Sequence, residues 1–151
     1  MTALAGIKIG AVIALALGLF YPVHYTAAPS WQVLVVDELG KPIEGMTVRL
    51  TYRNYSVEPK GHEVDATTNS QGYVQFPKRR SSATLAHYIA FSALSLTDGV
   101  HASFGPHANV FTFGQNREGS ASSADLETDW RGAPDQLQSR IVARRRSDIE
   151  H

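Results

Sequence analysis

At 151 residues the chain has room for one domain of ordinary size around one hydrophobic core, once an apolar leader of roughly two dozen residues is set aside. Fourteen basic residues balance fourteen acidic ones, so the broad positive field that gathers DNA or RNA is missing and no nucleic-acid partner is expected. Cysteine is absent, which excludes a disulfide framework, a thiolate metal site, a cysteine nucleophile and an acylated lipoprotein cysteine.

The chain opens with an almost continuously apolar stretch from Ala3 to Val23, with Lys8 its only charge. Such a segment belongs in a membrane or a translocon, and residues 1–24 are expected to be a signal peptide or a retained signal-anchor transmembrane helix. Ala27-Ala28 offers a small-residue cleavage site for the first reading. The apolar length, with Phe20, Tyr21 and Tyr25 at the interface, suits the second. Both readings export the rest of the chain, to the outer side of a cell membrane or to the periplasm or extracellular space. Residues 25–30, with Pro29, read as a linker.

Residues 31–114 then read as a domain of short strands. Trp31 to Val36 is apolar on both faces, as a central or covered strand requires. A loop with Gly40, Pro42 and Gly45 follows, and the next strand alternates, with Met46, Val48, Leu50 and Tyr52 on one face and Thr47, Arg49, Thr51 and Arg53 on the other. His62 to Thr68 is a weakly patterned strand, Asn69 to Gly72 a turn, and Tyr73 to Pro77 a strand with Val74 and Phe76 inward. Lys78 to Ser82 reads as a basic connector. Leu85 to Leu96 fits a strand, with a helix as the competing assignment because of its alanine and leucine content. Thr97 to Ala108 reads as a loop, and Asn109 to Gly114 as a last strand with Phe111 and Phe113 inward. Six or seven short strands separated by turn signals predict an all-β antiparallel sandwich preceded by a hydrophobic helix.

Two runs carry a resemblance: Asp37-x-x-Gly40-Lys41-Pro42-Ile43-Glu44-Gly45-Met46-Thr47-Val48-x-Leu50, and Ala66-Thr67-Thr68-Asn69-x-x-Gly72-Tyr73-Val74-x-Phe76. Together they resemble the carboxypeptidase regulatory-like domain, with Ile43 and Met46 where leucine and alanine are commoner. The resemblance implies a seven-stranded transthyretin-like or immunoglobulin-like β-sandwich, and it brings no catalytic residues with it. A purine-pathway hydrolase shares the transthyretin-like fold. By resemblance it would end Tyr-Arg-Gly-Ser, whereas Asp148-Ile149-Glu150-His151 stands here.

Residues 115–151 read as a polar linker and a C-terminal segment docking on the sandwich. Gln115 to Ala124 is rich in Gly, Ser and Asn and is expected to be mobile. Trp130 is expected to close an exposed sheet face, with an aromatic ligand platform as the alternative. Pro134 to Arg146 fits either a short helix or an added edge strand. Arg144-Arg145-Arg146 reads as a solvated charge run, with attraction to acidic lipid or carboxylates as the sharper option.

Motifs for catalysis are lacking. The sequence holds no Gly-x-Ser-x-Gly elbow, no His-Glu-x-x-His and no phosphate-binding glycine loop. Of the six histidines (His24, His62, His87, His101, His107 and His151), only His101 and His107 share a loop, and a metal-dependent hydrolase built on that pair is the alternative function. Asp37 and Glu38 with Asp98 would bind calcium only if the fold gathered them. No catalytic residue, metal or cofactor is assigned from the residues. The expectation is a non-enzymatic exported or membrane-tethered module for protein interaction, surface assembly or structural support. Its partner is expected to be another exported or membrane protein, or copies of itself.

Overall fold

A computed structural model describes residues 2–101, 103–120 and 130–145, with the side chains of 2–7, 98, 100 and 101 excepted. In chain order the elements are α1 (Thr2–Leu19), β1 (Pro22–Ala28), β2 (Ser30–Val36), β3 (Thr47–Asn54), β4 (His62–Thr67), β5 (Tyr73–Phe76), β6 (Arg79–Thr84) and α2 (Leu85–Ser95). A kinked 3-10 segment (Leu96–His101) leads to β7 (Pro106–Gly114), β8 (Arg117–Ser120), β9 (Gln136–Val142) and β10 (Arg144–Arg145). The protein is mostly β with few helices, consistent with a β-sandwich. Among the described residues no helix is long and apolar enough to cross a membrane.

A five-stranded sheet runs in the order β10-β8-β7-β3-β4, a three-stranded sheet in the order β5-β2-β9, and β1 pairs with β6 in a separate ribbon. The two larger sheets face each other across one core. Trp31, Val33 and Val35 of β2, Val74 and Phe76 of β5, and Ile141 of β9 meet Val48 and Leu50 of β3 and Ala108 and Val110 of β7. β2 is the central strand of its sheet, in keeping with its apolar faces.

The loop between β2 and β3 is held by its own backbone. Asp37 Oδ1 accepts the amides of Leu39 and Lys41 at 3.0 and 2.8 Å, an Asx turn. Thr68 Oγ1 donates to Ile43 O at 2.7 Å and accepts from Met46 N–H at 3.0 Å, tying that loop to the end of β4. At the β4–β5 turn Asn69 Oδ1 accepts the amides of Gln71 and Tyr73, and Gly72 sits at φ +77° beneath Val35 O and Pro42.

Several local expectations give way. Residues 25–30 are no linker: Tyr25 to Ala28 belong to β1, and Ser30 begins β2. Ala27 and Ala28 are buried there, so the apolar leader runs into the fold with hardly a break. Lys78 to Ser82 is largely strand, because β6 lies antiparallel to β1, Pro22 opposite Thr84 and Thr26 opposite Arg80. Leu85 to Leu96 is helical, with Thr84 as N-cap accepting the His87 amide at 3.2 Å.

In β7 the inward residues are Ala108, Val110 and Thr112, while Phe111 and Phe113 turn outward and pair with ring centroids 5.9 Å apart. Register decides this: β3 places Val48 opposite Thr112 and Leu50 opposite Val110, and residues opposite one another share a face. Thr112 is tolerated inside because its hydroxyl donates to Thr47 O at 2.8 Å. Residues 115–120 form a hairpin turn, with Gln115 and Asn116 at positive φ, and then β8, whereas 121–124 lie outside the described residues.

The C-terminal alternative resolves to strand. β9 runs parallel to β2 from Ser30 opposite Gln136 to Val36 opposite Val142. Trp31 Nε1 donates to Ser139 Oγ at 2.8 Å in the core, which makes Ser139 a satisfied buried polar group. Trp130 is 1 % exposed, pairs its backbone with Ala108 and donates Nε1–H to Pro134 O at 2.7 Å. It is a packed closing residue, so the ligand-platform alternative falls away. The described residues carry ten strands against the seven expected.

Candidate functional site

At the far end of β3 the chain turns through Tyr55 to Gly61, and here polar and aromatic side chains from four separate segments converge. Asn54 is their hub and is 1 % exposed. Its Oδ1 accepts the Ser56 amide at 3.0 Å, its Nδ2 donates to Tyr88 Oη at 3.3 Å, and its own amide donates to Glu58 Oε2 at 2.7 Å. Glu58 Oε1 in turn accepts the Tyr25 hydroxyl at 2.9 Å. The network therefore joins β1, β3, the following loop and α2, with every link satisfying a group withdrawn from water.

Burial pushes the Tyr25 phenol up to about 12, with the Glu58 carboxylate adding to the effect and Ser81 opposing it. Burial likewise raises the Tyr88 phenol, tempered by Asn54. The two rings meet edge to face, 6.1 Å apart at 86°. Both phenols stay protonated at neutral pH and act as hydrogen-bonding groups rather than as bases.

Outside this network lies a more open face. The Arg53 guanidinium stands 4.4 Å from the centre of the Tyr55 ring, and its Nε donates to Glu58 O at 3.0 Å. Tyr55 meets His107 edge-on at 5.0 Å, and Tyr52 stacks on His62 at 5.0 Å and 19°. His62 Nε2 is 3.7 Å from Glu58 Oε1. Behind Tyr52 stands Arg79, 5.7 Å from the ring centre, with its Nε buried and without a hydrogen-bond partner among the described residues. Tyr52, Arg53, Tyr55 and His107 line a hollow of about 410 Å³. A second hollow, of about 650 Å³, lies over the β7–β8 hairpin between Phe111, Phe113, Glu118 and Arg144.

The residues singled out from sequence are dispersed. His107 Nε2 lies 3.1 Å from Phe104 O and its ring packs on Tyr55, while the His101 side chain lies outside the described ones. His24 sits in β1, His62 stacks on Tyr52, His87 stacks on Phe91 within α2, and His151 lies outside the described residues. Among the described residues no three His, Cys, Asp or Glu side chains gather as metal ligands. Asp37 is occupied by its Asx turn, Glu38 accepts from Arg117 at 3.0 Å and from the Arg145 amide at 3.1 Å, and the Asp98 side chain lies outside the described ones. The calcium grouping is therefore not assembled from Asp37 and Glu38. Arg144 and Arg145 are exposed in β10, and Arg146 lies outside the described residues.

Tyr25, Glu58 and Tyr88 escaped sequence reasoning because they were assigned to a linker, a loop and a strand. The usable signal was compositional: four of the chain's six tyrosines, Tyr25, Tyr52, Tyr55 and Tyr88, end up in this region.

No family model matches the chain, and no curated protein matches it. Among solved structures it is similar to 3-chlorocatechol 1,2-dioxygenase from Rhodococcus opacus, at 12% identity and a TM-score of 0.42. The match covers 80% of this chain and 65% of the dioxygenase, so the chain spans somewhat less than two thirds of that protein. That likeness to an enzyme runs against the expectation of a non-enzyme, without establishing this chain as one. A likeness at this level assigns no activity to the present chain.

Proposed function

We propose that this protein is a membrane-tethered β-sandwich that presents an aromatic and basic face to a partner on the outer side of a cell membrane. The observation that carries the reading is the surface of α1. Ile9, Val12, Ile13, Leu15 and Leu17, with Phe20 just beyond the helix, are each more than half exposed, and residues 8–18 are exposed throughout, so the described residues do not cover them. A helix apolar all round calls for a lipid or protein environment. The fully described part of α1 is too short for a span; with residues 2–7, whose side chains lie outside the described ones, α1 has 18 residues and a length of about 27 Å, against roughly 30 Å for a bilayer core.

The retained anchor is favoured over the cleaved signal peptide because cleavage beside Ala27 and Ala28 would remove β1, and with it the Tyr25 hydroxyl on Glu58. For the fold, the finer reading is the transthyretin-like sandwich of the carboxypeptidase regulatory-like domain. Its support is the positive φ of Gly40, Gly45 and Gly72 in the turns that carry the resemblance. The face formed by Tyr52, Arg53, Tyr55 and His107 supports a protein partner, another exported protein or a second copy, because tyrosine and arginine dominate binding hot spots.

Membrane fractionation of the full chain tests the tether. The expected result is a protein that resists alkaline extraction and retains its first residues by mass spectrometry of the N-terminus. A soluble product beginning at Pro29 would overturn it. For the face, in-cell photocrosslinking from position 55 is expected to capture a discrete adduct that is lost in Arg53→Ala.

A further inference from the structure

We propose that α2 and the segment after it form a second membrane contact, lying flat in the headgroup and upper acyl region of the same bilayer that holds α1. The inference rests on the tether reading and adds a surface to it.

The polarity of α2 is inverted for a helix on a water-soluble domain. Tyr88 and Ser95 point at the sandwich, where Tyr88 Oη accepts from Asn54 and Ser95 Oγ lies 3.5 Å from Tyr55 O. Away from those contacts Leu85, Ile89 and Leu96 on one flank and Leu94 on the other are 42 to 67 % exposed, joined by Phe104 at 44 %. None of the described residues of α2 is buried. A surface helix ordinarily shows the reverse arrangement, with its apolar stripe toward the core. From Leu85 to Thr97 the sequence has no lysine, arginine, aspartate or glutamate, and His87 is its one titratable side chain apart from Tyr88. Tyr88, Ile89, Ser92, Ala93, Leu96 and Phe104 line an open, almost wholly apolar hollow at the edge of this side.

The β1–β6 ribbon indicates what covers this face. Its register sets Pro22 opposite Thr84, so the residue that leaves α1 and the residue that enters α2 are neighbours. Leu85 N–H reaches Tyr21 O at 3.4 Å, and α1 and α2 are in contact. A bilayer that receives α1 up to Phe20 and Tyr21 therefore has its surface at the first turn of α2. From there α2 extends about 16 Å across the foot of the domain, apolar side outward. A lipid surface suits this geometry because it needs no complementary partner shape and accepts leucine, isoleucine and phenylalanine at the acyl boundary.

The natural absence of cysteine makes the test direct. Single Ile89→Cys, Leu94→Cys and Leu96→Cys variants of the full chain, each at an exposed position, are labelled with an environment-sensitive fluorophore and reconstituted into nanodiscs. Leu15→Cys serves as the tether control and Lys60→Cys as the solvent control. The expected result is quenching of all three α2 labels by lipids carrying a nitroxide near the headgroup, deeper-nitroxide quenching for Leu15→Cys, and neither for Lys60→Cys. Quenching at Leu15→Cys without quenching at the α2 sites overturns this inference and leaves the tether standing. Absence of quenching at Leu15→Cys as well overturns both. Unquenched α2 labels, together with crosslinking between copies of the same variants left unlabelled, assign the face to self-association and refute the lipid contact.

Discussion

Replacing Gly72 by alanine separates two costs that glycine avoids, and Gly40 supplies the control. Both residues have positive φ, +77° and +80°. An alanine at either position bears the left-handed backbone penalty of about 1–2 kcal/mol. At Gly72 the new Cβ would also lie 2.7 Å from Val35 O and 2.9 Å from Pro42 Cβ, both parts of rigid backbone or ring. At Gly40 it would meet only Arg140 Nη2, at 3.2 Å, the mobile end of a long side chain. Overpacking against atoms that cannot swing away adds about 1–3 kcal/mol. Gly72→Ala is therefore expected to lose about 2–5 kcal/mol and Gly40→Ala about 1–2 kcal/mol. At roughly 4 °C per kcal/mol for a domain of this size, the midpoints should fall by about 8–20 °C and 4–8 °C. The assay is thermal unfolding of the full chain in detergent, followed by the fluorescence of Trp31 and Trp130, both buried in the fold. Equal losses in the two variants would refute the steric part of the argument, and no loss in either would refute the conformational part.

Truncating Trp130 to alanine is expected to cost about 3–5 kcal/mol in urea denaturation, while Trp130→Phe keeps most of the packing and loses about 1–2 kcal/mol through the unpaired Pro134 carbonyl. In an ultraviolet pH titration one tyrosine is expected to ionise near pH 12, and Tyr25→Phe should remove that late component. Because the folded pKa of Tyr25 is raised, the unfolded chain releases its proton first. The contribution of Tyr25 to stability is whole below pH 10 and is lost as pH climbs toward 12, which equilibrium unfolding at graded alkaline pH would register. Thr84→Ala removes the N-cap of α2 and is expected to lower protection of the His87 amide in hydrogen exchange, with a stability loss of about 1 kcal/mol.

β3 and β5 were legible from sequence because each alternates cleanly and is bounded by turn residues whose chemistry leaves little choice. β7 misled because phenylalanine outranks threonine and alanine as a core residue. The side that faces inward was decided by pairing with Val48 and Leu50 on a strand some sixty residues earlier in the chain, which local pattern does not encode. β9 was undecidable for a related reason: Ser139 interrupts its inward face, and only the Trp31 indole on another strand makes that serine acceptable. α2 was misassigned in part because its apolar residues follow neither a buried strand nor an inward helical stripe. The tyrosine, asparagine and glutamate network draws on segments whose adjacency arises only from the fold, so no spacing rule exposes it.

The parallel pairing of β2 with β9 also constrains when the domain can form. Trp31 bonds to Ser139 across 108 residues of chain, and closing a loop of that length carries an entropic cost of about 4 kcal/mol before any core contact repays it. β2 gains its second neighbour only from a strand about a hundred residues later in sequence. The antiparallel pairs β3–β4 and β7–β8 join strands close in sequence and need no such closure. Until β9 pairs, one side of β2 has its backbone groups unmatched, which makes this parallel pairing the long-range step on which the smaller sheet waits.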